Sequence, residues 1–320
     1  MKIVVLDGYT LNPGDLSWDA LKELGEVVVY DRLENKTDAI VEVISEATIV
    51  FTNKTVLSKE VLEKATTIKY IGVLATGFNV VDIETATSKN IVVTNIPAYG
   101  TKAVAQFVMG LLLEMCHHIG DHNTSVQNKA WVKSADFCYW NTPLIELEGK
   151  TMGLIGFGKI GQATAQLAQA FGMKVLVYNR TIKKEFESDS LAFVSLEELV
   201  ATSDVISLHC ALTDSNQGLI NKSLIEQMKR EVMLINTSRG GLVNENDLAE
   251  ALNNDRIYAA AVDVVSTEPM KANNPLLGAK NCIITPHIAW ATKAARQRLM
   301  HTAVGNLKAY LSGEVINKVN

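Results

Sequence analysis

Short runs of valine, isoleucine and other apolar residues recur along the whole chain, and longer stretches of mixed apolar and polar residues separate them. A continuous apolar run bounded by polar or turn residues predicts a strand that is buried on both faces of a parallel sheet. The longer stretches have the length of helices that connect one parallel strand to the next. The pattern therefore predicts an α/β fold with doubly wound parallel sheets.

The apolar runs fall into two series. The first series contains the strand candidates KIVVLD, EVVVYD, ATIVFTN, IKYIGVLAT and NIVVTN. The second begins at residue 151 and contains TMGLIGFG, KVLVYN, DVISLHC, VMLINTS, YAAAVDVV and NCIITPH. An unusually apolar helix candidate and an aromatic segment lie between the two series, and a long helix with a short tail is expected after the second. Two sheets in two domains are predicted.

Composition restricts the class of protein. Of the 320 residues, 48% are hydrophobic and 20% are charged, which is typical of a globular protein and allows two domains. The formal net charge is -5 without a block of like charge, so binding to nucleic acid or to an anionic membrane is not expected. The N-terminus lacks the pattern of a signal peptide and the four cysteines form no CxxC pair, so free thiols in a reducing cytoplasm are expected.

A glycine motif follows the first strand candidate of the second series. Gly156, Gly158 and Gly161 form a GxGxxG pattern between a predicted strand and an Ala/Gln-rich helix, and another strand candidate follows. In this context Gly156 permits a tight turn, Gly158 lets the backbone approach a pyrophosphate, and Gly161 lets the helix pack close to the strand. The start of the helix offers unpaired N–H groups to the phosphates. A glycine-rich turn without a ligand is the alternative.

The residue that usually selects NAD departs from the common pattern. NAD-binding proteins carry Asp or Glu about 20 residues beyond the motif to bind the ribose 2′-hydroxyl. Asn179 stands there instead, and Arg180, Lys183 and Lys184 are close in sequence. Because asparagine binds a hydroxyl without repelling a 2′-phosphate, NAD, NADP or both are expected. The alternative is that the basic residues only form a solvated face.

Three residues able to support acid–base chemistry follow strand candidates of the second series. Arg239 follows VMLINTS, Glu268 follows YAAAVDVV, and His287 follows NCIIT. Ligands of doubly wound sheets bind at the carboxyl ends of the strands, so these side chains are expected to converge where a nicotinamide would lie. Taken alone, His287 would be better explained as a histidine packed in a core.

Four segments resemble the D-isomer-specific 2-hydroxyacid dehydrogenases, in the order of that family: GFGKIGQ, LINTSRGGLVNE, AVDVVSTEP and TPHIAWAT. The resemblance covers nearly the whole chain. It implies that Arg239 binds the substrate carboxylate and the reacting carbonyl oxygen. It also implies that His287 protonates that oxygen as hydride arrives, and that Glu268 orients the imidazole.

The resemblance assigns contacts to further residues. Backbone amides at Thr76 and Gly77 would bind the substrate carboxylate, and Asp263 would meet the nicotinamide carboxamide. The full set of implied cofactor contacts is Thr76, Gly156, Gly158, Lys159, Ile160, Gly161, Asn179, Arg180, Cys210, Ala211, Leu212, Thr213, Thr237, Ser238, Asp263, His287 and Trp290.

The domain organisation of the family carries over as an expectation. Residues 1–98 and 293–320 would form a discontinuous, flavodoxin-like substrate domain, and residues 99–292 an NAD(P)-binding Rossmann domain, with a cleft between them. Residues 101–145 match the family's dimerisation region, so a homodimer is expected. A helix that is apolar on nearly every side must be buried, and a subunit partner would bury it. Trp140 would either reach the partner's active site or only pack in the interface.

A small 2-keto acid is the expected substrate. Glycerate dehydrogenases (hydroxypyruvate reductases) are the most similar branch, which implies hydroxypyruvate/D-glycerate or glyoxylate/glycolate. The alternative is a dinucleotide-sensing scaffold with little turnover, because Ala289 and Trp290 follow His287 and Ile288, which is similar to the His-x-Ala-Trp of the corepressor branch of the family. Turnover of keto acids discriminates between the two.

A cluster of histidines resembles a metal site only superficially. His118 and His122 are four residues apart, with Cys116 and Asp121 nearby. The spacing is not HExxH, and Gly120 is expected to interrupt the helix. No metal is expected.

Overall fold

The computed structural model describes residues 1–320 and places two parallel sheets in two units of the chain. The first unit consists of Met1–Gly100 and Ala291–Asn320, and the second of Thr101–Trp290. The boundaries expected from the sequence, after residues 98 and 292, each lie two residues from these.

Twelve strands and eleven α-helices make up the two units. The strands are β1 (Lys2–Val5), β2 (Glu26–Val29), β3 (Ile49–Thr52), β4 (Tyr70–Val73), β5 (Val92–Thr94), β6 (Thr151–Ile155), β7 (Lys174–Tyr178), β8 (Leu191–Phe193), β9 (Val205–Leu208), β10 (Met233–Asn236), β11 (Ala259–Val262) and β12 (Cys282–Ile284). The helices are α1 (Asp19–Lys22), α2 (Thr37–Ile44), α3 (Lys59–Lys64), α4 (Ile83–Ser88), α5 (Thr101–His117), α6 (Ile119–Gln127), α7 (Lys159–Ala170), α8 (Leu196–Thr202), α9 (Lys222–Ile225), α10 (Glu245–Asn253) and α11 (Lys293–Leu311).

The first unit has a five-stranded parallel sheet in the order β2-β1-β3-β4-β5. This is the flavodoxin-like order, and the expectation for this unit is confirmed. β3 and β4 are buried along their whole length, which explains why their sequences are continuously apolar and do not alternate.

Arg296 ties α11 to the loop that follows β1. Its guanidinium donates two hydrogen bonds of 2.7 Å to the carboxylate of Asp15 and one of 2.9 Å to the carbonyl of Leu11. Its Nε donates to the carbonyl of Ala291 at 3.0 Å. The arginine is only 8% exposed, and it lowers the pKa of Asp15. The loop after β1 is therefore held against the start of the last helix.

The second unit has a seven-stranded parallel sheet in the order β12-β11-β10-β9-β6-β7-β8. The chain builds outward from β6 to β8 and returns to β9 on the other side, so the order reverses between β6 and β9. This is the Rossmann arrangement, and ligands bind at its switch point. Six of the seven strands match the sequence prediction. β8 was not predicted, because its three residues carry too short an apolar run.

The apolar helix α5 is buried by its own unit. Its residues Val108, Leu112 and Met115 belong to the core that also contains residues of β6 and β10. Gly110 and Gln106 are exposed on the remaining side. The expectation that a subunit partner accounts for the apolar composition of this helix is therefore wrong, since the core of the same unit covers most of it.

The helical break after α5 occurs at a different residue from the one expected. His118 adopts a left-handed conformation with φ of 46°, and Gly120 lies inside the first turn of α6. The break follows from the backbone of His118 and not from the glycine. No single helix is long and apolar enough to cross a membrane, although α5 and α6 together, bent by 55°, have the required length and composition.

Candidate active site

Three neighbouring strands of the second unit present the predicted catalytic residues. Arg239 follows β10, Glu268 follows β11 and His287 follows β12, and these strands are adjacent in the sheet. Because every strand of this sheet is parallel, the three strands end at the same edge of the sheet, and the three side chains follow these ends.

His287 and Glu268 are in direct contact. The imidazole Nδ1 lies 2.7 Å from Oε2 of Glu268, and the other carboxylate oxygen accepts a hydrogen bond from the backbone N–H of Val265 at 3.2 Å. The side chains of His287 and Glu268 are 28% and 34% exposed. A carboxylate has only acceptor oxygens, so Nδ1 carries a hydrogen in this pair. Nε2 is therefore the nitrogen through which the ring can exchange a proton.

Asp263 holds the loop that carries His287. One of its oxygens accepts hydrogen bonds from Oγ1 of Thr285 at 2.6 Å and from the backbone N–H of Ile288 at 2.8 Å. The other accepts from the backbone N–H of Ala289 at 2.8 Å. Asp263 is 1% exposed. The sequence analysis missed this supporting role, because the three donors lie more than twenty residues away along the chain.

The backbone of His287 is held in an uncommon conformation. Its φ is 55°, in the left-handed region that non-glycine residues seldom adopt. The indole Nε1 of Trp290 donates to the carbonyl of His287 at 2.9 Å. Such conformations persist only where surrounding bonds determine them, and they concentrate at functional sites. Trp290, which is predicted to contact the cofactor, thus holds the backbone of His287.

Arg239 is exposed, and a buried asparagine shapes its loop. The side chain of Asn236, which is fully buried, donates to the carbonyl of Arg239 at 2.9 Å and accepts from the N–H of Ser238 at 3.0 Å. Nη1 of Arg239 donates to the carbonyl of Ser238 at 2.7 Å. This single bond leaves most of the guanidinium donors available to a carboxylate. Asn236 was not among the predicted residues, since a strand-end asparagine has no distinctive sequence signal.

The glycine turn has the geometry that the motif predicted. Gly156 has φ of 102°, and a Cβ there would lie 2.7 Å from the backbone nitrogen of Cys210. A Cβ on Gly161 would lie 2.5 Å from the carbonyl oxygen of Gly156. A Cβ on Gly158 would meet nothing within 4 Å, so this position faces open space.

The second unit can hold a dinucleotide at this turn. No side chain caps α7, so the first-turn amides at Lys159, Ile160 and Gly161 remain for phosphate oxygens. Oγ1 of Thr237 is buried without a hydrogen-bond partner, as expected of a group that bonds to a ligand when one is bound. The open space at Gly158 completes the fit.

The other predicted cofactor residues border the same edge of the sheet. Oγ of Ser238 donates to the carbonyl of Cys210 at 2.5 Å, which joins the loops after β9 and β10. Burial raises the pKa of the Cys210 thiol. The exposed residues that follow it in this loop are Ala211, Leu212 and Thr213.

Asn179 connects the end of β7 to the glycine turn. Its side-chain oxygen accepts from the N–H of Phe157 at 3.0 Å, and its amide donates to the carbonyl of Thr181 at 2.7 Å. Nζ of Lys183 lies 3.4 Å from the carbonyl oxygen of Phe157. Arg180 is exposed. One lysine of the basic loop therefore reaches the turn itself.

Thr76 and Gly77 belong to the first unit. Oγ1 of Thr76 donates to the carbonyl of Ile96 at 2.8 Å, and the side chain of Asn95 donates to the carbonyl of Thr76 at 2.7 Å. These bonds join the segments after β4 and β5. The assignment of Thr76 and Gly77 to substrate binding stays a prediction.

The histidines of the α5–α6 region bond to protein groups. Nε2 of His118 lies 3.1 Å from the hydroxyl of Tyr258. Nδ1 of His122 lies 2.8 Å from the carbonyl of His118, and its Nε2 accepts from the N–H of Asn141 at 3.1 Å. No three His, Cys, Asp or Glu side chains lie close enough together to hold a metal ion.

His209 is a histidine of the second unit whose titration is expected to affect stability. It follows β9 beside the glycine turn, and its Nε2 lies 2.9 Å from the hydroxyl of Ser207. Burial lowers the pKa of His209 to about 4. Because the unfolded chain binds this proton near pH 6.5, the contribution of His209 to stability is expected to be complete above that pH and to fall as the pH drops toward 4.

We therefore expect acid to lower the stability of the protein by up to about 3 kcal/mol through this one group. The measurement is the difference in Tm between pH 7 and pH 5, compared between the unchanged protein and His209→Gln, which cannot take up the proton. The variant should lose less stability. His301→Gln removes an exposed imidazole and serves as the control. Equal losses in all three proteins would contradict the assignment.

Comparisons with known proteins agree with this geometry. Residues 109–289 match the family model described as "D-isomer specific 2-hydroxyacid dehydrogenase, NAD binding domain". The chain is 54% identical over 321 residues to a hydroxypyruvate reductase of Blautia hydrogenotrophica, with all of both chains covered. It is 39% identical over 284 residues to a glycerate dehydrogenase of Methylorubrum extorquens, with 88% of each covered. A crystal structure of an NADPH-dependent glyoxylate/hydroxypyruvate reductase from Sinorhizobium meliloti has a TM-score of 0.84 at 26% identity, covering 99% of this chain and 97% of that one.

Proposed function

The chain belongs to the family of D-isomer specific 2-hydroxyacid dehydrogenases and is an NAD(P)-dependent oxidoreductase, and we propose that it reduces hydroxypyruvate to D-glycerate. The observation that carries the substrate is the 54% identity to a hydroxypyruvate reductase over the whole length of both chains. Glyoxylate, a smaller acid of the same kind, is the second substrate. The sequence shows no additional cationic site for a substrate phosphate, which favours an unphosphorylated acid.

The proposed chemistry assigns one step to each of the three residues. Reduced nicotinamide, when bound, supplies a hydride. Arg239 holds the carboxylate of the keto acid with its planar guanidinium and polarises the carbonyl. Nε2 of His287 donates a proton to the carbonyl oxygen in reduction and accepts it in oxidation. Oε2 of Glu268 accepts a hydrogen bond from Nδ1 of His287 at 2.7 Å, and this bond determines that Nε2 faces the substrate.

Asp263 and Asn236 act in this proposal as positioning residues. Asp263 holds the His287 loop through three hydrogen bonds of 2.6 to 2.8 Å. Asn236 holds the Arg239 loop through two. Rigid support of this kind keeps the catalytic groups in productive geometry. The predicted contact of Asp263 with the carboxamide, and of Thr76 and Gly77 with the substrate, rests on the family resemblance.

The test of the function is oxidation of NADH and NADPH by the purified protein with a series of keto acids. The series contains hydroxypyruvate, glyoxylate, pyruvate and 2-oxoglutarate. The highest kcat/KM should be found with hydroxypyruvate. Rapid oxidation with another acid would overturn the substrate but keep the reaction. No oxidation with any acid, in a folded protein that binds the dinucleotide, would favour the sensing scaffold.

We propose that both NAD and NADP are accepted, because Asn179 replaces the usual acidic residue. The contact of Lys183 with the carbonyl of Phe157 places an ammonium beside the turn, where a 2′-phosphate would gain a charge-assisted bond. Lys183→Met should lower kcat/KM for NADPH by about tenfold or more and leave that for NADH nearly unchanged.

Two further variants sharpen the cofactor test. Lys184→Met removes the same charge from a residue without this contact and should have a smaller effect. Asn179→Asp introduces a negative charge and should shift the preference toward NADH. A Lys183→Met enzyme whose ratio of NADPH to NADH activity is unchanged would contradict the role of this lysine.

We propose a homodimer in which the segment after α6 meets the partner. Its exposed apolar side chains support the proposal: Val132 is 83% exposed, Phe137 is 89% and Trp140 is 65%. Large apolar side chains that are exposed together in one short segment favour burial against a partner subunit.

Trp140 can be tested for a role in the partner's active site. Trp140→Ala should raise KM for hydroxypyruvate and alter the preference between hydroxypyruvate and glyoxylate, while the protein stays dimeric. Trp131→Ala, a second exposed tryptophan of the same segment, is the matched control. A dimeric Trp140→Ala enzyme with unchanged preference would show that the residue only packs in the interface.

We propose a cytoplasmic location. Four cysteines without a disulfide support it, since reducing compartments keep thiols unpaired. Fractionation of the source cells, with the protein followed by antibody, tests this.

A further inference from the structure

A groove runs along α11 in the first unit. It has a volume of about 510 Å³, within the roughly 300–1,000 Å³ of small-molecule sites. Leu21, Phe51 and Leu74 line it and are at most 2% exposed, so its base is part of the core. Trp18 and Met300 line it nearer the surface. The lining is mostly apolar, as is typical of sites that bury the body of a ligand.

Gly305 keeps the groove open. A Cβ at this position would meet no atom within 4 Å, so no packing contact requires a glycine there. The residue lies inside a helix of 19 residues, where glycine is about 0.5–1 kcal/mol less favourable than alanine. The helix thus carries a locally unfavourable residue at the point where a side chain would project into the groove.

The groove continues into a second cavity with a different lining. That cavity has a volume of about 440 Å³ and shares Gln297 and His301 with the first. Arg298 also lines it and donates through Nε to the carbonyl of Tyr99 at 3.0 Å. The two Nη groups of Arg298 have no hydrogen-bond partner in the chain. No acidic residue lines either cavity, whereas Lys308 lines the first at its far end.

We propose that this groove binds a monocarboxylate with an apolar tail. The tail lies along Trp18 and Met300, and the carboxylate lies on Arg298 and His301. A guanidinium whose Nη groups lack a partner matches a carboxylate bidentately. Arg298 and Gly305 are seven positions apart on the helix, a rise of about 10 Å, comparable to an extended chain of about eight carbons. None of the lining residues belongs to the proposed catalytic set.

Octanoate is the probe for this site, and Trp18 is the reporter. Titration of octanoate into the full-length protein should change tryptophan fluorescence saturably, and Trp18→Phe should remove the change. Hexanoate and butyrate should bind progressively more weakly than octanoate, by about fourfold for each methylene removed. Titration calorimetry measures the same affinities without relying on fluorescence. If neither fluorescence nor calorimetry detected saturable binding of octanoate, the proposal would be overturned.

Two variants locate the ligand within the groove. Gly305→Leu fills the apolar part and Arg298→Met removes the carboxylate partner, and each should weaken octanoate binding by about tenfold or more. Ala294→Leu on the same helix and Arg230→Met in the other unit are the matched controls. Turnover of hydroxypyruvate should be unchanged in all four.

The variants also separate the possible outcomes. Gly305→Leu adds helix propensity and its Cβ would meet no atom within 4 Å, so the variant is expected to fold, and an unchanged Tm shows that a loss of binding is not due to unfolding. Octanoate binding that survives both Gly305→Leu and Arg298→Met would overturn the proposal. Weakening by Lys308→Met but not by Arg298→Met would overturn the placement of the carboxylate. Because the assay measures binding alone, its outcome does not depend on whether the protein reduces keto acids.

Discussion

His287→Ala is expected to lower kcat for the reduction of hydroxypyruvate by about 100- to 10,000-fold, the usual contribution of a general acid. The imidazole is the proton donor of the proposed reaction, and its Nδ1 contact with Glu268 at 2.7 Å leaves Nε2 to act on the substrate. Fold and cofactor affinity should be retained, because Asp263 holds the loop through its backbone and not through the imidazole. Steady-state kinetics, NADH binding by fluorescence and Tm measure the three properties separately.

Two further variants serve as comparisons for His287→Ala. His301→Ala removes an exposed imidazole outside the catalytic set and should leave turnover unchanged. Glu268→Gln keeps an acceptor for Nδ1 but removes the charge, so its loss should lie between the unchanged enzyme and His287→Ala. If His287→Ala reduced hydroxypyruvate at nearly the original rate, the histidine would have no part in proton transfer.

Arg239→Met is expected to lower kcat/KM for hydroxypyruvate by about 100- to 1,000-fold, the loss seen when one donor to a developing oxyanion is removed. Both kcat and KM should change, because the guanidinium binds the substrate carboxylate and also polarises the reacting carbonyl. The exposed side chain makes one hydrogen bond within the chain, to the carbonyl of Ser238, so its removal leaves no buried group unsatisfied. The measurement is a set of saturation curves for hydroxypyruvate at fixed NADH.

The conservative variant separates charge from shape. Arg239→Lys should recover only part of the activity, since an ammonium is a point charge and cannot bind a carboxylate bidentately. Arg230→Met, which removes an exposed arginine elsewhere in the same unit, controls for net charge. An Arg239→Met enzyme with unchanged KM and kcat would exclude this arginine from the site.

Local patterns in the sequence predicted most of the architecture. A strand buried on both faces needs a continuous apolar run, so eleven of the twelve strands were visible as such runs. The GxGxxG motif correctly predicted a tight turn before α7, because the geometry of this turn also restricts which residues can form it. Gly156 has φ of 102° and Gly161 lies against the backbone of Gly156, and only glycine meets both requirements.

Two interpretations of the region around α5 were wrong. The apolar helix α5 was attributed to a subunit partner, but the core of the second unit covers most of it. The break beside it was assigned to Gly120, whereas the backbone of His118 turns the chain. For α5, composition showed that the helix must be buried, and only packing showed which neighbour buries it.

The fold class, the glycine turn and the order of Arg239, Glu268 and His287 could all be predicted from the amino-acid sequence, because each depends on residues close together in the chain or at the ends of predicted strands. Only the tertiary structure revealed the bonds from Asp263 and Asn236 that hold the loops of His287 and Arg239, and the groove along α11. The hydrogen bonds of Asp263 and Asn236 join segments that are remote or carry no sequence signal. The groove is a space left between α11 and other segments of its unit. Such features are set by three-dimensional packing, which no periodicity along the chain encodes.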